Sequence, residues 1–206
     1  MRALKNSFAT TILQTVLALA ISSIAGYGFE IYHDKAKDTV MAILMLAMMV
    51  PFVAVLVPLF QMFTKAKLIN SWTGFILPSI ATPFLIMYFR NSARSFPRDT
   101  LEAARIDGLN EFQIFIRMFI PMMKPTYASA ATITFMGAWN AYLWPKVVMQ
   151  TNEAITMPML VANTMGGYVI DYGVVMAAVT ICSLPTVIIF FCLQKSFTNA
   201  VAGAVK

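Results

Sequence analysis

Five long runs free of charged residues constrain the fold of this 206-residue chain. They cover residues 6–29, about 39–63, 68–89, 125–145 and 172–194. A hydrocarbon core about 30 Å thick is spanned by ~20 largely apolar residues in a helix, and each run reaches that length. We therefore predict an all-α membrane protein in which residues 1–206 form one polytopic bundle of five spans.

The composition favours the same class. Charged residues make up only 12% of the chain and hydrophobic residues 59%, whereas soluble domains carry about 25% charged residues. The net charge of +6 does not indicate a nucleic-acid partner, because the bases lie in short groups between the apolar runs. We expect membrane lipid around the chain and no nucleic acid bound to it.

Prolines interrupt three of the runs: Pro51 and Pro58 in the second, Pro78 and Pro83 in the third, and Pro185 in the fifth. Membrane helices tolerate such prolines because neighbouring groups satisfy the freed carbonyls, and the helices bend there. Kinked spans are therefore expected.

A sixth charge-free run, residues 154–170, is shorter and contains Pro158, Asn163 and the pair Gly166 and Gly167. We expect it to form an extracytoplasmic loop with a short helix. A re-entrant segment is the alternative.

Lys and Arg residues indicate the orientation. Ten of the 15 would share one side of the membrane: Lys35, Lys37, Arg90, Arg94, Arg98, Arg105, Arg117, Lys124, Lys195 and Lys206. The other five would lie opposite: Arg2, Lys5, Lys65, Lys67 and Lys146. The richer side is expected to be cytoplasmic, with Met1 outside and with Trp72 and Trp144 as anchors at outer span ends. Five spans and an outside N-terminus suggest that a preceding span is missing.

The segment 95–124 is the charged exception in the chain. A helix is predicted from Arg98 to Ile106, and Asp107-Gly108 breaks it because glycine readily takes a positive φ. A second helix is predicted from about Asn110. Its apolar residues at helical spacing are expected to face the bundle: Phe112, Phe115, Ile116 and Phe119.

Two functions fit this helix–turn–helix at the cytoplasmic membrane surface. It could be a solvated linker in which Glu102 pairs with Arg98 or Arg105 along the helix. It could instead be a docking knob for a cytoplasmic partner. The residues alone leave both open.

The run Glu102-Ala103-Ala104, then Asp107-Gly108, then Ile120-Pro121 resembles the EAA loop of permease subunits of binding-protein-dependent ABC importers. Ile120 replaces the usual leucine-type residue, and Leu109 stands where a small residue is commoner. The resemblance implies that residues 95–124 are a coupling loop. Its ATPase-coupling residues would be Glu102, Ala103, Ala104, Asp107, Gly108 and Pro121.

Other stretches resemble the carbohydrate-type, maltose-permease-like subfamily. They are Trp139-Asn140-Ala141-Tyr142-Leu143-Trp144-Pro145, Thr156-Met157-Pro158, Gln194-Lys195-Ser196-Phe197 and Ala202-Gly203-Ala204-Val205-Lys206. The family has six spans, and residues 6–29 resemble its second, so the family's first span would be absent here.

The resemblance implies a multi-pass subunit of the bacterial inner (cytoplasmic) membrane that forms half of a pathway for a sugar or related carbohydrate. A non-carbohydrate solute is the alternative. Its partners would be a second permease subunit, two ATPase subunits and an extracytoplasmic sugar-binding protein. ATP and Mg would bind the partner ATPase, so this chain would be no enzyme and would hold no cofactor.

Two other classes compete. An intramembrane enzyme would need reactive groups, but the one histidine, His33, lies in a loop, and H-E-x-x-H and G-x-S-x-G motifs are absent. Cys182 and Cys192 are spaced too widely for a metal knuckle, and we predict no metal site. A secondary transporter or channel usually has ionisable residues within its spans, and the five runs have none.

Residues that could face a substrate are few. Gln14, Asn140 and Asn163 could hydrogen-bond to a sugar, and Trp139 or Tyr142 could stack on one. Hydrogen bonding between helices is the alternative role for the amides, and packing within the bundle is the alternative for Trp139.

Overall fold

The structure is a computed structural model that describes residues 2–166 and 170–203, with side chains described as far as Cys192. Within these ranges every regular element is a helix, in agreement with the predicted all-α class. The predictions for Gly167 and Lys206, and for the side chains of the C-terminal tail, lie outside the described residues.

The first helix, α1 (Arg2–Ile31), is amphipathic in the sense opposite to a soluble helix. Its buried face is small and polar and includes Ser7, Thr11, Ser22 and Gly26. Its exposed face is apolar: Phe8, Ile12, Leu13, Val16, Leu17, Ile21 and Ile24. Small residues let membrane helices approach closely, whereas large apolar residues suit contact with lipid. The single long helix agrees with the predicted first span.

The second predicted span is not one straight helix. Helix α2 (Lys35–Ala47) and helix α3 (Phe52–Lys65) meet at an angle of 101°. The break falls before Pro51, because a proline disfavours the helical conformation in the residue that precedes it. Pro58, also predicted to bend the span, lies inside α3.

The third predicted span is also bent. It comprises α4 (Trp72–Ile76), a 3₁₀ turn (Leu77–Ser79) and α5 (Pro83–Ala93), with a bend of 47°. Pro78 lies in the 3₁₀ turn and Pro83 starts α5, so the predicted kink is found at the prolines.

The charged segment 95–124 contains α6 (Arg98–Ile106), α7 (Glu111–Ile114), a π-helical turn (Phe115–Phe119) and α8 (Ile120–Met122). It leads into α9 (Lys124–Trp139), α10 (Leu143–Val148), α11 (Met157–Thr164) and α12 (Tyr172–Gly203). The short helix predicted within residues 154–170 corresponds to α11.

Two helical stretches, Arg2–Ile31 and Tyr172–Cys192, are long and apolar enough to cross a membrane. Up to four spans result if each bent pair counts as one, by length and composition. Helix α9, with 16 residues, is not among them. The residues that the structure describes are therefore all-helical with two to four candidate spans, and the number five stays a prediction.

Helix α1 is the centre of the bundle and packs against α5 and α9, while α9 also packs against α12. A Cβ atom on Gly26 would lie 2.6 Å from Cβ of Phe89 and 2.7 Å from the backbone nitrogen of Arg90. The absence of a side chain at Gly26 therefore sets the distance between α1 and α5.

Trp144, predicted to be an interfacial anchor, packs inside the protein. It is buried, and its indole N–H donates to the carbonyl oxygens of Gly74 and Phe75 at 3.1 and 3.2 Å. Its position near the end of an apolar run suggested an anchor, but the tertiary fold brings α4 over it. Trp72 is exposed, as an anchor would be.

Candidate functional site

Helix α6 is held against the bundle by one of its faces. Leu101 and Ala104 are buried in an apolar cluster with Ala93 and Phe96, and Tyr27 of α1 belongs to the same cluster. Glu102 and Ala103 lie on the exposed side. The Glu-Ala-Ala triplet is thus divided between packing and exposure.

The turn after α6 requires glycine. Gly108 has φ +80°, its N–H donates to the carbonyl of Arg105 at 3.1 Å, and the N–H of Leu109 donates to that of Ala104 at 3.0 Å. This pair of bonds is the Schellman arrangement, which satisfies the last carbonyls of a helix with a left-handed residue behind it. The predicted break at Asp107-Gly108 is confirmed.

The next helix begins with a capping box. The N–H of Gln113 donates to Oδ1 of Asn110 at 2.9 Å, and the N–H of Asn110 donates to Oε1 of Gln113 at 3.0 Å. Such reciprocal bonds satisfy two otherwise free donors at a helix start. The predicted start at about Asn110 is therefore confirmed, with Asn110 as the cap.

Glu111 joins α7 to α6 and to α1. Nε of Arg105 donates to Oε1 of Glu111 at 2.8 Å, and the hydroxyl of Tyr27 donates to its Oε2 at 3.5 Å. Partial burial raises the pKa of Glu111, but hydrogen bonds from Tyr32 and Arg105 outweigh this and hold the pKa below its ordinary value. The same bond to Glu111 raises the pKa of Arg105. Both side chains are therefore charged at neutral pH.

The predicted apolar stripe of the second helix is half wrong. Phe115 and Phe119 are buried in the cluster described above, together with Ile114, whereas Phe112 and Ile116 are exposed. The sequence around them is nearly continuously apolar, so spacing alone did not fix which sector faces inward. The π-helical turn Phe115–Phe119 further shifts the register.

The exposed side of the segment is a mixed surface. We define the loop surface as Glu102, Ala103, Ile106, Asp107 and Phe112. Ile106 is 86% exposed and Phe112 is 72% exposed, although both are large and apolar. Pro121 is also exposed, on the far side of the π-helical turn.

The ion pairs that the linker hypothesis predicts, between Glu102 and Arg98 or Arg105, are not observed. Among the described residues Glu102 takes part in no ion pair, and Arg105 pairs with Glu111 instead. The partner of Arg105 lies beyond the turn, so the pairing links two helices rather than stabilising one. Local spacing within a helix could not reveal it.

A cavity of about 140 Å³ lies between α6 and the ends of α1 and α5. Charged side chains dominate its lining: Glu30, Arg94, Arg98, Glu102 and Arg105. Sequence reasoning missed this cavity, because Glu30 lies far from the segment along the chain.

The five substrate-pathway candidates fall into two groups. Asn140 and Tyr142 share a mostly apolar cleft of about 340 Å³ with residues of α11 and α12. Asn163, on α11, accepts a hydrogen bond from Nζ of Lys146 at 3.1 Å. Gln14 lies on the buried face of α1. Trp139 is buried, stacks on Phe135 and donates to the carbonyl of Cys182 at 2.9 Å.

Metal-binding potential is low in the part of the chain that the structure describes, where no group of three or more His, Cys, Asp or Glu residues could hold an ion. Cys182 and Cys192 are free thiols.

Comparison with known proteins decides the family. Residues 18–203 match the family model described as "Binding-protein-dependent transport system inner membrane component". The chain belongs to this family. The resemblance found in residues 102–121 is thereby confirmed, and so is the predicted inner-membrane location.

Two relatives match this inner membrane component over most of its length. It is 41% identical over 201 residues to the lactose transport system permease protein LacG of Rhizobium radiobacter, covering 98% of this chain and 74% of LacG. It is 36% identical over 202 residues to the arabinooligosaccharides transport system permease protein AraQ of Bacillus subtilis, covering 98% of this chain and 72% of AraQ.

A solved structure shows the same fold. The crystal structure of a bacterial ABC transporter involved in the import of the acidic polysaccharide alginate matches with a TM-score of 0.85 at 22% identity, over 95% of this chain and 74% of the other. Membership in the family makes this chain the membrane component of a transport system that depends on a binding protein. It is a transport component rather than an intramembrane enzyme.

Proposed function

We propose that this inner membrane component is the permease subunit of an ATP-driven importer for an oligosaccharide, and that the charged segment docks a cytoplasmic ATPase. The names of LacG and AraQ, which refer to lactose and to arabinooligosaccharides, support the carbohydrate class. The observation that carries the docking role is the loop surface, where large apolar side chains stand exposed on a rigidly held turn.

The frame of the segment suits docking. The Schellman turn, the capping box and the Arg105–Glu111 pair fix the two helices relative to one another. A preorganised surface loses little conformational entropy on binding. The linker interpretation does not explain why Ile106 and Phe112 are exposed on such a frame.

The side chains of the loop surface favour a partner with complementary chemistry. Ile106 and Phe112 would fill an apolar recess, since large apolar side chains at the centre of an interface supply most of its free energy. Asp107 is adjacent to Ile106 and would meet basic side chains at the rim, which steer association. An ATPase surface with an apolar recess and a basic rim is the complement that we expect.

Copurification tests the docking role. Phe112→Ala should reduce the amount of ATPase that copurifies with the permease by about tenfold, the effect of losing one central interface residue. Ile24→Ala is the matched control, because Ile24 is an exposed apolar residue on the outer face of α1. Equal ATPase recovery in the two variants, at equal expression, would contradict the proposal.

The second permease subunit is proposed to cover the junction of α2 and α3. Met49 and Val53 are 77% and 68% exposed, and the helical backbone is interrupted between them. Interrupted backbone within a membrane is tolerated where protein or a water-filled cavity covers it, but not against lipid. A thiol-reactive crosslinker should therefore join Met49→Cys to the second permease subunit. If the treated complex yields this chain only in its uncrosslinked form, the assignment is contradicted.

The cleft that contains Asn140 and Tyr142 is proposed as part of the sugar pathway. An aromatic ring and an amide that line a largely apolar cleft suit the apolar faces and hydroxyl edges of a sugar. Gln14, Trp139 and Asn163 remain weaker candidates, since two are buried among helices and the third is bonded to Lys146.

Stimulated ATPase activity identifies the substrate class. The purified complex, supplied with its binding protein, should respond to lactose or an arabino-oligosaccharide. Tyr142→Ala should raise the concentration needed for half-maximal stimulation, while Tyr172→Ala, at another exposed tyrosine, should not. A complex that responds only to non-carbohydrate solutes would overturn the carbohydrate assignment.

A further inference from the structure

Arg90 is a buried charge that joins three helices. The residue is only 5% exposed and lies near the end of α5. Its Nε donates to Oε2 of Glu30 on α1 at 3.2 Å, and another of its nitrogens donates to Oδ1 of Asp38 on α2. A buried guanidinium must be paired, so both carboxylates are part of its local structure.

One half of this arrangement is fixed. Gly26 lies one helical turn before Glu30, and its missing side chain allows the backbone of Arg90 to lie directly against α1. Helices α1 and α5 are therefore in close contact at this level, with no room for a Cβ atom between them. The Glu30–Arg90 pair is therefore anchored.

The other half is held loosely. Asp38 is in the first turn of α2, and its side chain is 46% exposed. Met41 is the buried residue of α2, and Phe63 that of α3. The bent pair α2–α3 is thus attached to the bundle near its two ends, and Asp38–Arg90 is the charged attachment at one of them. His33 also contacts Asp38, with Nε2 at 2.8 Å from Oδ2.

Glu30 connects this attachment to the charged segment. Its Oε2 also accepts from Nε of Arg94 at 3.3 Å, and Arg94 lies one turn beyond Arg90, at the C-cap of α5. Glu30 and Arg94 line the cavity behind α6, and Glu102 lines the same cavity. Asp38, Arg90, Glu30 and Arg94 therefore form an unbroken series of ion pairs from α2 to the cavity beneath the loop surface.

We propose that these four residues are a relay through which a load on α6 changes the position of α2, with Arg94 as the positioning residue at the loop end. Movement of α6 toward the bundle brings Glu102 within reach of Arg94, which then has a choice between two carboxylates. When Arg94 pairs with Glu102, Glu30 pairs with Arg90 alone. Arg90 then interacts more strongly with Glu30, and its ion pair with Asp38 weakens. The two pairings of Arg94 are the two states that a coupling device needs.

The relay rests on the proposed docking of the ATPase. A thiol-labelling experiment tests the relay, and copurification of the ATPase tests the docking. Lys35→Cys is introduced at the exposed start of α2 in a background of Cys182→Ser and Cys192→Ser. Its labelling rate by a soluble maleimide is measured in the purified complex with its ATPase, with and without ATP and vanadate. In the parent complex the nucleotide should change the rate.

Arg94→Gln cuts the relay without disturbing the buried pair, because the Arg94 side chain is 60% exposed. We expect the nucleotide-induced change in rate to fall about five- to tenfold, the low end of typical coupling between sites. Asp38→Asn should have the same effect from the other end. Arg2→Gln is the control, since Arg2 forms an exposed ion pair with Glu153 at 3.5 Å on α1's other end.

A full nucleotide response in both Arg94→Gln and Asp38→Asn would overturn the relay while leaving the docking intact. A parent complex whose labelling rate does not change with nucleotide would contradict the relay, whereas the docking is tested separately by copurification of the ATPase. Copurification of the ATPase with Arg94→Gln at the parent level is expected, and its loss would assign Arg94 to the interface instead.

Discussion

Nε of Arg105 lies 2.8 Å from Oε1 of Glu111, so an ion pair bridges the turn at Gly108. Both side chains are 42% exposed, and such pairs contribute only about 0.2–1 kcal/mol to stability. The pair joins α6 to α7 across the turn that the Schellman bonds and the capping box also hold. The angle between these two helices determines how far apart Ile106 and Phe112 stand on the loop surface.

The stability that Glu111 contributes should depend on pH. Its pKa is lower in the folded chain than its ordinary value, so its contribution is present above the unfolded pKa of about 4.3 and is lost as the pH falls through the folded pKa. The difference in Tm between the parent and Glu111→Gln should be constant from about pH 7 to 5 and should shrink below about pH 4. Thermal unfolding in detergent measures it, and a difference that grows on acidification would contradict the assignment.

Gly108→Pro should weaken the docking of the ATPase without unfolding the bundle. Proline cannot adopt φ +80°, and the substitution also removes the N–H that donates to Arg105. Strain of this kind costs about 1–3 kcal/mol, so ATPase recovery should fall roughly ten- to a hundredfold. Gly108→Ala should be milder, because a Cβ there meets no atom within 4 Å and only the backbone strain remains.

Gly137→Ala is the control for both changes at Gly108. Gly137 lies inside α9, a Cβ there also has open space, and alanine favours a helix over glycine by about 1 kcal/mol. Substrate uptake and ATPase copurification should be normal in this variant. Normal uptake by Gly108→Pro at normal expression would refute the docking role.

Gly26→Ala should destabilise the bundle, whereas Gly28→Ala should not. The added Cβ at Gly26 would overlap backbone atoms of α5, while the one at Gly28 meets nothing within 4 Å. Forcing a methyl group into such a contact costs about 1–3 kcal/mol. The thermal stability of the two variants in detergent should differ accordingly, and equal values would show that α1 and α5 can separate freely.

Cysteine labelling should establish the orientation that the charge distribution predicts. In a background without Cys182 and Cys192, a membrane-impermeant maleimide added to intact cells should modify Lys65→Cys but not Lys35→Cys. Lysis of the cells should make the second accessible. Modification of Lys35→Cys in intact cells would reverse the predicted topology.

Local features of the loop were predictable from the sequence because they depend on neighbours. The bounds of α6, the break at Asp107-Gly108 and the start at Asn110 follow from capping chemistry and from glycine's access to positive φ. The first long helix was equally predictable, since a long charge-free run favours one continuous helix.

Features that depend on contacts distant in sequence were not predictable. Arg90 lies 60 residues from Glu30 and 52 from Asp38, and no local pattern pairs them. The face of α7 and the following π-helical turn that packs against the bundle was ambiguous, because Phe112 and Phe115 fit the same helical spacing. Pro51 predicts a bend in the second span. The angle of 101° depends on the tertiary contacts of α2 and α3, which no local pattern gives.

Natural variation in α1 should run opposite to that in a soluble helix. At positions such as Ile12, Val16 and Ile24, substitutions among large aliphatic residues should be tolerated, whereas charged residues should not. At Ser7, Ser22 and Gly26, other small residues should be tolerated whether polar or apolar, whereas large residues should not. A saturation library of α1 would thus sort by charge on one side of the helix and by volume on the other.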